Sequence, residues 1–417
     1  MQLRDYQIKN SAEGLAILKR YGLVYLACQA RTGKTATALN IAKEYGAKKV
    51  LFITKKKAIG SIKKDFEALK PGYDLYVINY ESVHTITEKF DFVIIDECHS
   101  LGQFPRPSQG VQLIKKLCEG LPIVYLSGTP SPESFSQLFH QFYVSSCSPF
   151  KEYVNFYKWA NDGFVKIKKK MINGIPFNDY KAANKEKIDQ FTKHLFITFS
   201  QKDAGFMQEV QEEILTVKMK SQTYWLANKL LRDRVHIGKQ GEEIIADTGV
   251  KLQNKLHQIF SGSVIDEKGT PIGFDDTKAR FIAEKFAGKK IAIFYIFRAE
   301  LEMLRWVFKG RITDSPEEFN NSSDLVFCSQ IQSGSMGTNL STAEALIFYN
   351  IHFSNLQYWQ ARERMQLQKR ETPALLYWVF SEGGLESKIY DAVAQKKDYV
   401  ISYFRKDFLV TELKNIA

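Results

Sequence analysis

The sequence predicts an α/β protein of two domains, each a parallel sheet with helices on both faces. Three observations carry this expectation. The 417 residues exceed what one ordinary core organises and suit two domains of roughly 200 residues each. Short apolar β-rich runs alternate with segments of helical periodicity through the first half. After an aromatic-rich interval, the same alternation resumes in the second half.

The first run, "LVYLAC", is apolar and ends in small residues, and "TATALNIAKEY" after it has helical spacing. "KVLFIT", "LYVINY", "FDFVIIDE" and "LPIVYLSGT" read as further strands, each closed by polar residues or glycine. Helical segments such as "IGSIKKDFEALK" and "GVQLIKKLCEGL" lie between them. Alternation of this kind argues for a parallel sheet covered on both faces. From Pro149 to Asp203 the pattern changes to aromatic-rich material, "FKEYVNFYKWANDGF", mixed with basic turns. We expect a helical elaboration over 149–203, in which Tyr153, Phe156, Tyr157 and Trp159 are packing residues before they are base-stacking ones. Alternation then returns as "KIAIFYIF", a helix "RAELEMLRWVF", "GRIT", "DLVFCS", "ALIFYN" and "ALLYWVF", with a closing helix over "ESKIYDAVAQKKDYVISYF". The joint falls near Asp203, giving domains 1–203 and 204–417. There is no internal repeat.

Composition excludes several classes. With 44% hydrophobic and 25% charged residues the chain is a folded soluble type. Runs such as "FVII" and "IAIF" are of buried-strand length and too short to span a membrane. "MQLRDYQIKN" lacks the apolar centre of a signal peptide. Cys28, Cys98, Cys118, Cys147 and Cys328 are scattered, which argues against a zinc site or disulfide framework and fits a reducing bacterial or infected-host cytoplasm. Lysine and arginine number 58 against 46 acidic residues, a net +12, which points to a polyanionic partner. The basic runs "TKKKAIGSIKK" and "KIKKK", taken singly, are solvated faces as readily as binding sites.

Two stretches carry chemistry. "CQARTGKTATAL" lies between the first strand and its helix, and Gly33, Lys34 and Thr35 form the end of a phosphate-binding loop. Gly33 admits the phosphates close to the backbone, Lys34 reaches the β/γ-phosphates, and Thr35 ligates Mg2+. The usual first glycine of such a loop is Cys28 here. "FVIIDECHS" is a buried strand ending in two adjacent carboxylates, for which packing offers no reason. Asp96 can hold Mg2+ through its water shell, and Glu97 can orient or deprotonate the attacking water.

With these two in order, the chain resembles the superfamily 2 helicases, and within them the Swi/Snf-like DNA translocases. The likeness runs nearly end to end. "LRDYQ" resembles the adenine-reading segment, which makes Gln7 the base contact. "ARTGKT" (Arg31, Thr32, Gly33, Lys34 and Thr35) and "DECH" are motifs I and II. "LSGTP" is motif III, whose Ser127 and Thr129 couple the nucleotide site to the polymer. "IAIFYIF" resembles motif IV, "SGSMGTNLSTAEALIFYN" motif V, and "QARERMQ" motif VI. The resemblance implies two RecA-like domains with ATP in the cleft between them. It places Gly337 and Gln360 at the nucleotide, and Thr54, Lys55, Asn79, Ser82, Ser333 and Gly334 on the nucleic-acid backbone. DNA is favoured over RNA, and a compact phage or bacterial monomeric motor is expected, possible replication or recombination partners being unspecified. Backbone contacts carry no sequence information, so binding should be sequence-tolerant, with a salt slope of roughly −0.9 per phosphate neutralised on duplex.

Motif VI departs from the family. Gln360 and Arg364 match, but Leu367 stands where a second arginine is expected. An arginine finger contributes about 10³ to 10⁵ in rate, or about 4 to 7 kcal/mol, and leucine has no donor. Three readings stay open: Arg370, one turn on, replaces it; Arg364 acts alone at reduced rate; or the chain is a nucleotide-gated DNA clamp with weak or no turnover. An RNA helicase of the same superfamily is a further alternative.

Overall fold

The chain divides into two compact units, residues 1–206 and 207–417. A computed structural model describes residues 2–29, 31–172, 175–205, 211–238, 241–331, 340, 342–354, 358 and 375–395.

The first unit runs α1 (Asp5–Tyr21), β1 (Leu23–Cys28), α2 (Lys34–Tyr45), β2 (Lys49–Thr54), α3 (Ile59–Leu69), β3 (Asp74–Asn79), β4 (Phe92–Asp96), α4 (Gln109–Leu117), β5 (Ile123–Leu126) and α5 (Leu138–Tyr143). It continues through α6 (Phe156–Trp159), a hairpin of β6 (Lys168–Ile172) and β7 (Ile175–Asp179), then α7 (Lys185–Thr192) and β8 (Phe196–Phe199). Six strands form one sheet in the order β3-β2-β4-β5-β1-β8, and every pairing in it is parallel. The period of two along each strand divides the core. Val24, Phe52, Ile94 and Leu126 pack with α1, α2 and α3, while Tyr25, Ile53, Ile95 and Tyr125 pack with α4, α5 and α7. Parallel strands align their carboxyl ends, so the loops after β1, β2, β3, β4 and β5 open on one edge.

The second unit runs β9 (Gln211–Val217), α8 (Ser221–Asp233), β10 (Val235–Ile237), β11 (Glu243–Ile245), α9 (Gly249–Phe260), β12 (Ser263–Ile265), β13 (Pro271–Gly273), α10 (Thr277–Lys285), β14 (Ile291–Tyr295) and α11 (Arg298–Phe308). There follow β15 (Ile312–Thr313), α12 (Pro316–Asn321), β16 (Val326–Gln330), β17 (Ala345–Phe348), β18 (Leu375–Ser381) and α13 (Glu386–Ala394). Its sheet is again six-stranded, in the order β15-β16-β14-β17-β18-β9, and parallel throughout. One face packs on α8, α9, α12 and α13 and the other on α10 and α11. Both units are RecA-like α/β folds. No helix among the described residues is long and apolar enough to cross a membrane.

Residues 149–203 differ from the expected helical elaboration. They supply β8, an edge strand of the main sheet, and the β6–β7 hairpin as well as short helices. "FITF" is four residues long, too short for its period to stand out from helical neighbours. Of the four aromatics there, Tyr153 is part-exposed and Tyr157 exposed. The other two are core: Phe156 and Trp159 are fully buried, and Trp159 meets Phe139, Phe150, Phe156 and Phe164 at 4.9–5.4 Å. Burying each such ring contributes roughly 1.5–3 kcal/mol. The expected closing helix is seen as α13, and residues 396–417 lie outside the described ones.

A buried ion pair links the two layers of the second unit. Lys278 of α10 lies 2.5 Å from Glu386 of α13, both side chains fully inaccessible, and the Ser381 hydroxyl donates to the same carboxylate oxygen at 3.0 Å. Removing one partner of such a pair leaves an uncompensated buried charge and costs about 3–5 kcal/mol. Lys278→Ala is therefore expected to shift the urea midpoint of the full chain sharply downward, read by tryptophan fluorescence; a midpoint like that of the parent would show the pair to be energetically neutral.

Candidate nucleotide and polymer site

The carboxyl edge of the first sheet gathers the functional side chains from separate loops. After β1 comes α2, whose first residue is Lys34. Gly33 caps that helix at φ 80°, a left-handed conformation that glycine adopts without the cost other residues carry. A Cβ there would lie 2.0 Å from Gln7 Nε2, so any other residue would push the end of the Gln7 side chain off the loop. Cys28 occupies a different kind of position. It is the last residue of β1, buried and paired with Phe199, so extended backbone suffices and the missing first glycine leaves no conformational gap.

Gln7 is buried against this loop and donates from Nε2 to the Gly33 carbonyl at 3.3 Å. Its Oε1 accepts the Arg4 backbone N–H at 2.9 Å, which holds the side chain over the loop. Thr32 is buried and donates from Oγ1 to the Gln29 carbonyl at 2.8 Å, and Lys34 Nζ donates to the same carbonyl at 3.3 Å. Gln29 is itself fixed, accepting the Gln201 N–H at 2.6 Å. Arg31 has φ 63°, and burial lowers its pKa. Thr35 follows Lys34 in the first turn of α2.

At the end of β4, Asp96 receives the Thr54 hydroxyl at 2.9 Å, and its backbone carbonyl receives the Tyr80 hydroxyl at 2.6 Å. Burial and the adjacent Glu97 charge raise its pKa to about 6, opposed by Lys34 and the Thr54 hydrogen bond. A hydroxyl and a carboxylate, Thr35 and Asp96, are the hard oxygen donors that suit Mg2+, and a divalent cation would offset the burial and charge that raise Asp96. Glu97 turns out of the strand at φ 50°.

His99 links the carboxylates to the loop after β5. Its Nδ1 lies 3.3 Å from Glu97 Oε2 and 3.0 Å from Ser127 Oγ. Burial lowers its pKa to about 4, so at neutral pH the ring is uncharged and the Glu97 contact is not an ion pair. Ser127 Oγ in turn accepts the Thr129 N–H at 3.1 Å. Thr129 Oγ1 is buried with no hydrogen-bond partner among the described residues. Gln141 of α5 holds the next carbonyl, Pro130, at 2.7 Å. The expected Ser127 and Thr129 therefore connect to Glu97 through a histidine to which sequence reading gave no role.

The structure moves one residue. Thr54, expected at the polymer, is fully buried and spends its hydroxyl on Asp96. The signal was legible only as neighbouring strands, since threonine at a strand end has no pattern of its own. Lys55 and Ser82 are part-exposed. Asn79 is also part-exposed, and its amide donates to Glu81 at 2.7 Å. Ser333, Gly334, Gly337, Gln360, Arg364, Leu367 and Arg370 lie outside the described residues. Either side of them, Asn350 is fixed between Glu300 at 2.8 Å and His257 Nε2 at 2.7 Å. Glu212 accepts from Tyr358, Trp378 and Tyr390 at 3.0–3.1 Å, which anchors the chain entering "WQARERMQ" to β9.

The raised Asp96 value gives a pH dependence. Above the ordinary carboxylate value of about 3.9, the ionised form is the one folding disfavours, so Asp96 costs stability above pH 6 and the cost is relieved as pH falls from about 6 to about 4. Cation affinity runs the other way, because the protonated acid cannot ligate. The half-maximal Mg2+ concentration for ATP turnover should rise below pH 6. Thr54→Val keeps the volume and removes a bond to a charged acceptor, a contact of about 1.5–3 kcal/mol. It is expected to raise that half-maximal Mg2+ concentration about tenfold; an unchanged Mg2+ titration would remove Thr54 from the site.

Residues 1–132 match the family model described as type III restriction enzyme, res subunit, a superfamily 2 helicase-like domain of RecA type. The match covers the loop before α2, both carboxylates and Ser127 to Pro130. It supports an ATP-dependent nucleic-acid motor of superfamily 2 for a chain whose remaining residues it does not reach. A comparison with curated proteins finds no match.

Proposed function

We propose that the chain is a DNA translocase or helicase of Swi/Snf-like type, which hydrolyses MgATP when bound to DNA irrespective of sequence. The observation that carries the reading is the convergence of Gln7, the Gly33–Thr35 turn, Asp96 and Glu97 on one sheet edge. Gln7 reads the adenine edge. Arg31, Thr32 and Gly33 shape the loop, and Lys34 exchanges the Gln29 carbonyl for the β/γ-phosphates. Thr35 and Asp96 would hold Mg2+, which supplies neutralisation of the phosphate charge. Glu97 orients and deprotonates the attacking water. From the second unit the reading takes Gly337 and Gln360 at the nucleotide, with Arg364 and Arg370 stabilising the charge that develops in transfer. Lys55, Asn79, Ser82, Ser333 and Gly334 bind the polymer backbone, and the Glu97–His99–Ser127–Thr129 chain of contacts couples the two.

Leucine at 367 favours one second reading, a nucleotide-gated DNA clamp. ATP turnover measured with duplex DNA, single-stranded DNA, RNA and no polymer separates the candidates. The motor requires stimulation by DNA that Lys34→Ala abolishes. A flat low rate with all four would establish the clamp instead, and greatest stimulation by RNA would make the chain an RNA helicase.

A further inference from the structure

The segment between α6 and α7 forms a ribbon outside both main sheets. β6 and β7 pair antiparallel from Lys168 opposite Asp179 to Ile172 opposite Ile175, as a two-stranded sheet of their own. Lys168, Lys169, Lys170 and Met171 on one strand, and Pro176, Phe177 and Asn178 on the other, are exposed, Met171 at 65%. A hairpin uncovered on both faces is marginal in water, so its own pairing does not account for it.

The register sets its chemistry. Partners across an antiparallel pair share a face, which puts Lys168, Lys170 and Phe177 together and Lys169 and Met171 on the reverse. Lys170 is neutralised by Asp179. Lys168 and Lys169 have no ion pair or side-chain hydrogen bond among the described residues. A solvated lysine run needs no exposed aromatic beside it; a ribbon of unpaired cations with an open ring fits a polyanion that also carries flat apolar faces.

The base of the ribbon is fixed. Ser136 Oγ donates to the Tyr180 carbonyl at 2.6 Å and Ser134 Oγ to the Lys181 carbonyl at 2.7 Å. Lys181 Nζ lies 3.3 Å from Glu133, and Phe164, Val165 and Tyr180 are buried in the core. Residues 133–136 continue directly from the loop bearing Ser127 and Thr129.

We propose that the β6–β7 ribbon is a second nucleic-acid contact of the first unit, holding phosphates on its two opposite faces through Lys168 and Lys169, and a base against Phe177 on the face it shares with Lys168. This rests on the motor reading above. Its base on residues 133–136 joins occupancy of the ribbon to the loop that His99 ties to Glu97.

The test uses the full chain, with fluorescence anisotropy on duplex and single-stranded DNA oligonucleotides over a range of salt. The double variant Lys168→Ala/Lys169→Ala is expected to lose about tenfold or more in affinity at low salt. Its salt slope should fall by roughly 1.8 on duplex and roughly 1.4 on single strands, as for two lost phosphates. Phe177→Ala should weaken single-strand binding about tenfold with its slope unchanged. Circular dichroism and thermal melting establish that both variants are folded. Parental affinity and slope in the double variant overturn the proposal and leave an acidic protein surface as the ribbon's occupant. Failure of the parent chain to bind either DNA overturns the motor reading itself.

Discussion

Glu97→Gln is expected to lower DNA-stimulated ATP turnover by about 10² to 10⁴-fold while MgATP affinity stays within a few fold. Glutamine keeps the size and hydrogen-bonding length of the side chain and loses only its charge and basicity. The local backbone supports a catalytic assignment over a surface one. A non-glycine residue in the left-handed region costs about 1–2 kcal/mol, and Glu97 sits there at φ 50°, immediately after a strand whose last carbonyl is bound by Tyr80. Had the strand continued, period two would have sent Glu97 to the face opposite Asp96; the turn breaks that alternation. Such strain persists where the surroundings over-determine it, typically at functional sites. The two quantities to measure are single-turnover hydrolysis and nucleotide affinity. Full turnover in the variant would exclude Glu97 as the base, and lost affinity with normal single-turnover rate would make it a binding residue.

Leu367→Arg is expected to raise the DNA-stimulated rate, with the 10³ to 10⁵ of an arginine finger as the ceiling. The expectation rests on spacing in the sequence. Gln360, Arg364 and residue 367 are four and three apart, the interval at which a helix would present side chains on one face, and Arg370 follows three residues later. If Arg370 already donates to the phosphate, the new arginine adds nothing and Arg370→Ala abolishes turnover. If Arg364 acts alone, the gain appears and Arg370→Ala is silent. A gain-free Leu367→Arg together with a silent Arg370→Ala and no DNA stimulation in the parent would identify the clamp. Measuring both variants beside the parent separates these cases, because each predicts a different pair of rates.

Much of this protein could be read along the chain, for a physical reason. Strands such as "KVLFIT" and "FVIID" are apolar on both faces because both faces are covered, so their hydrophobicity announces a parallel sheet without any knowledge of its neighbours. The GKT turn and the paired carboxylates stand out in the sequence because their pattern is local: a glycine at a positive φ, a lysine and threonine that open a helix, two acids at a strand end. What failed were features with no local signature. β8 is four residues of "FITF", recognisable as a strand only once it lies beside β1.

The sequence by itself determined the two α/β units, and it carries the GKT stretch, the paired carboxylates and the departure at Leu367. Only the tertiary structure decided that Thr54 buttresses Asp96, that His99 spans Glu97 and Ser127, and that Lys168–Ile172 forms one strand of an exposed ribbon. Each of these is a meeting between side chains at or just beyond the ends of neighbouring strands, 28 to 42 residues apart in sequence, or a pairing set by register. Hydrogen bonds of that kind depend on strand order, which no periodicity along one chain segment encodes.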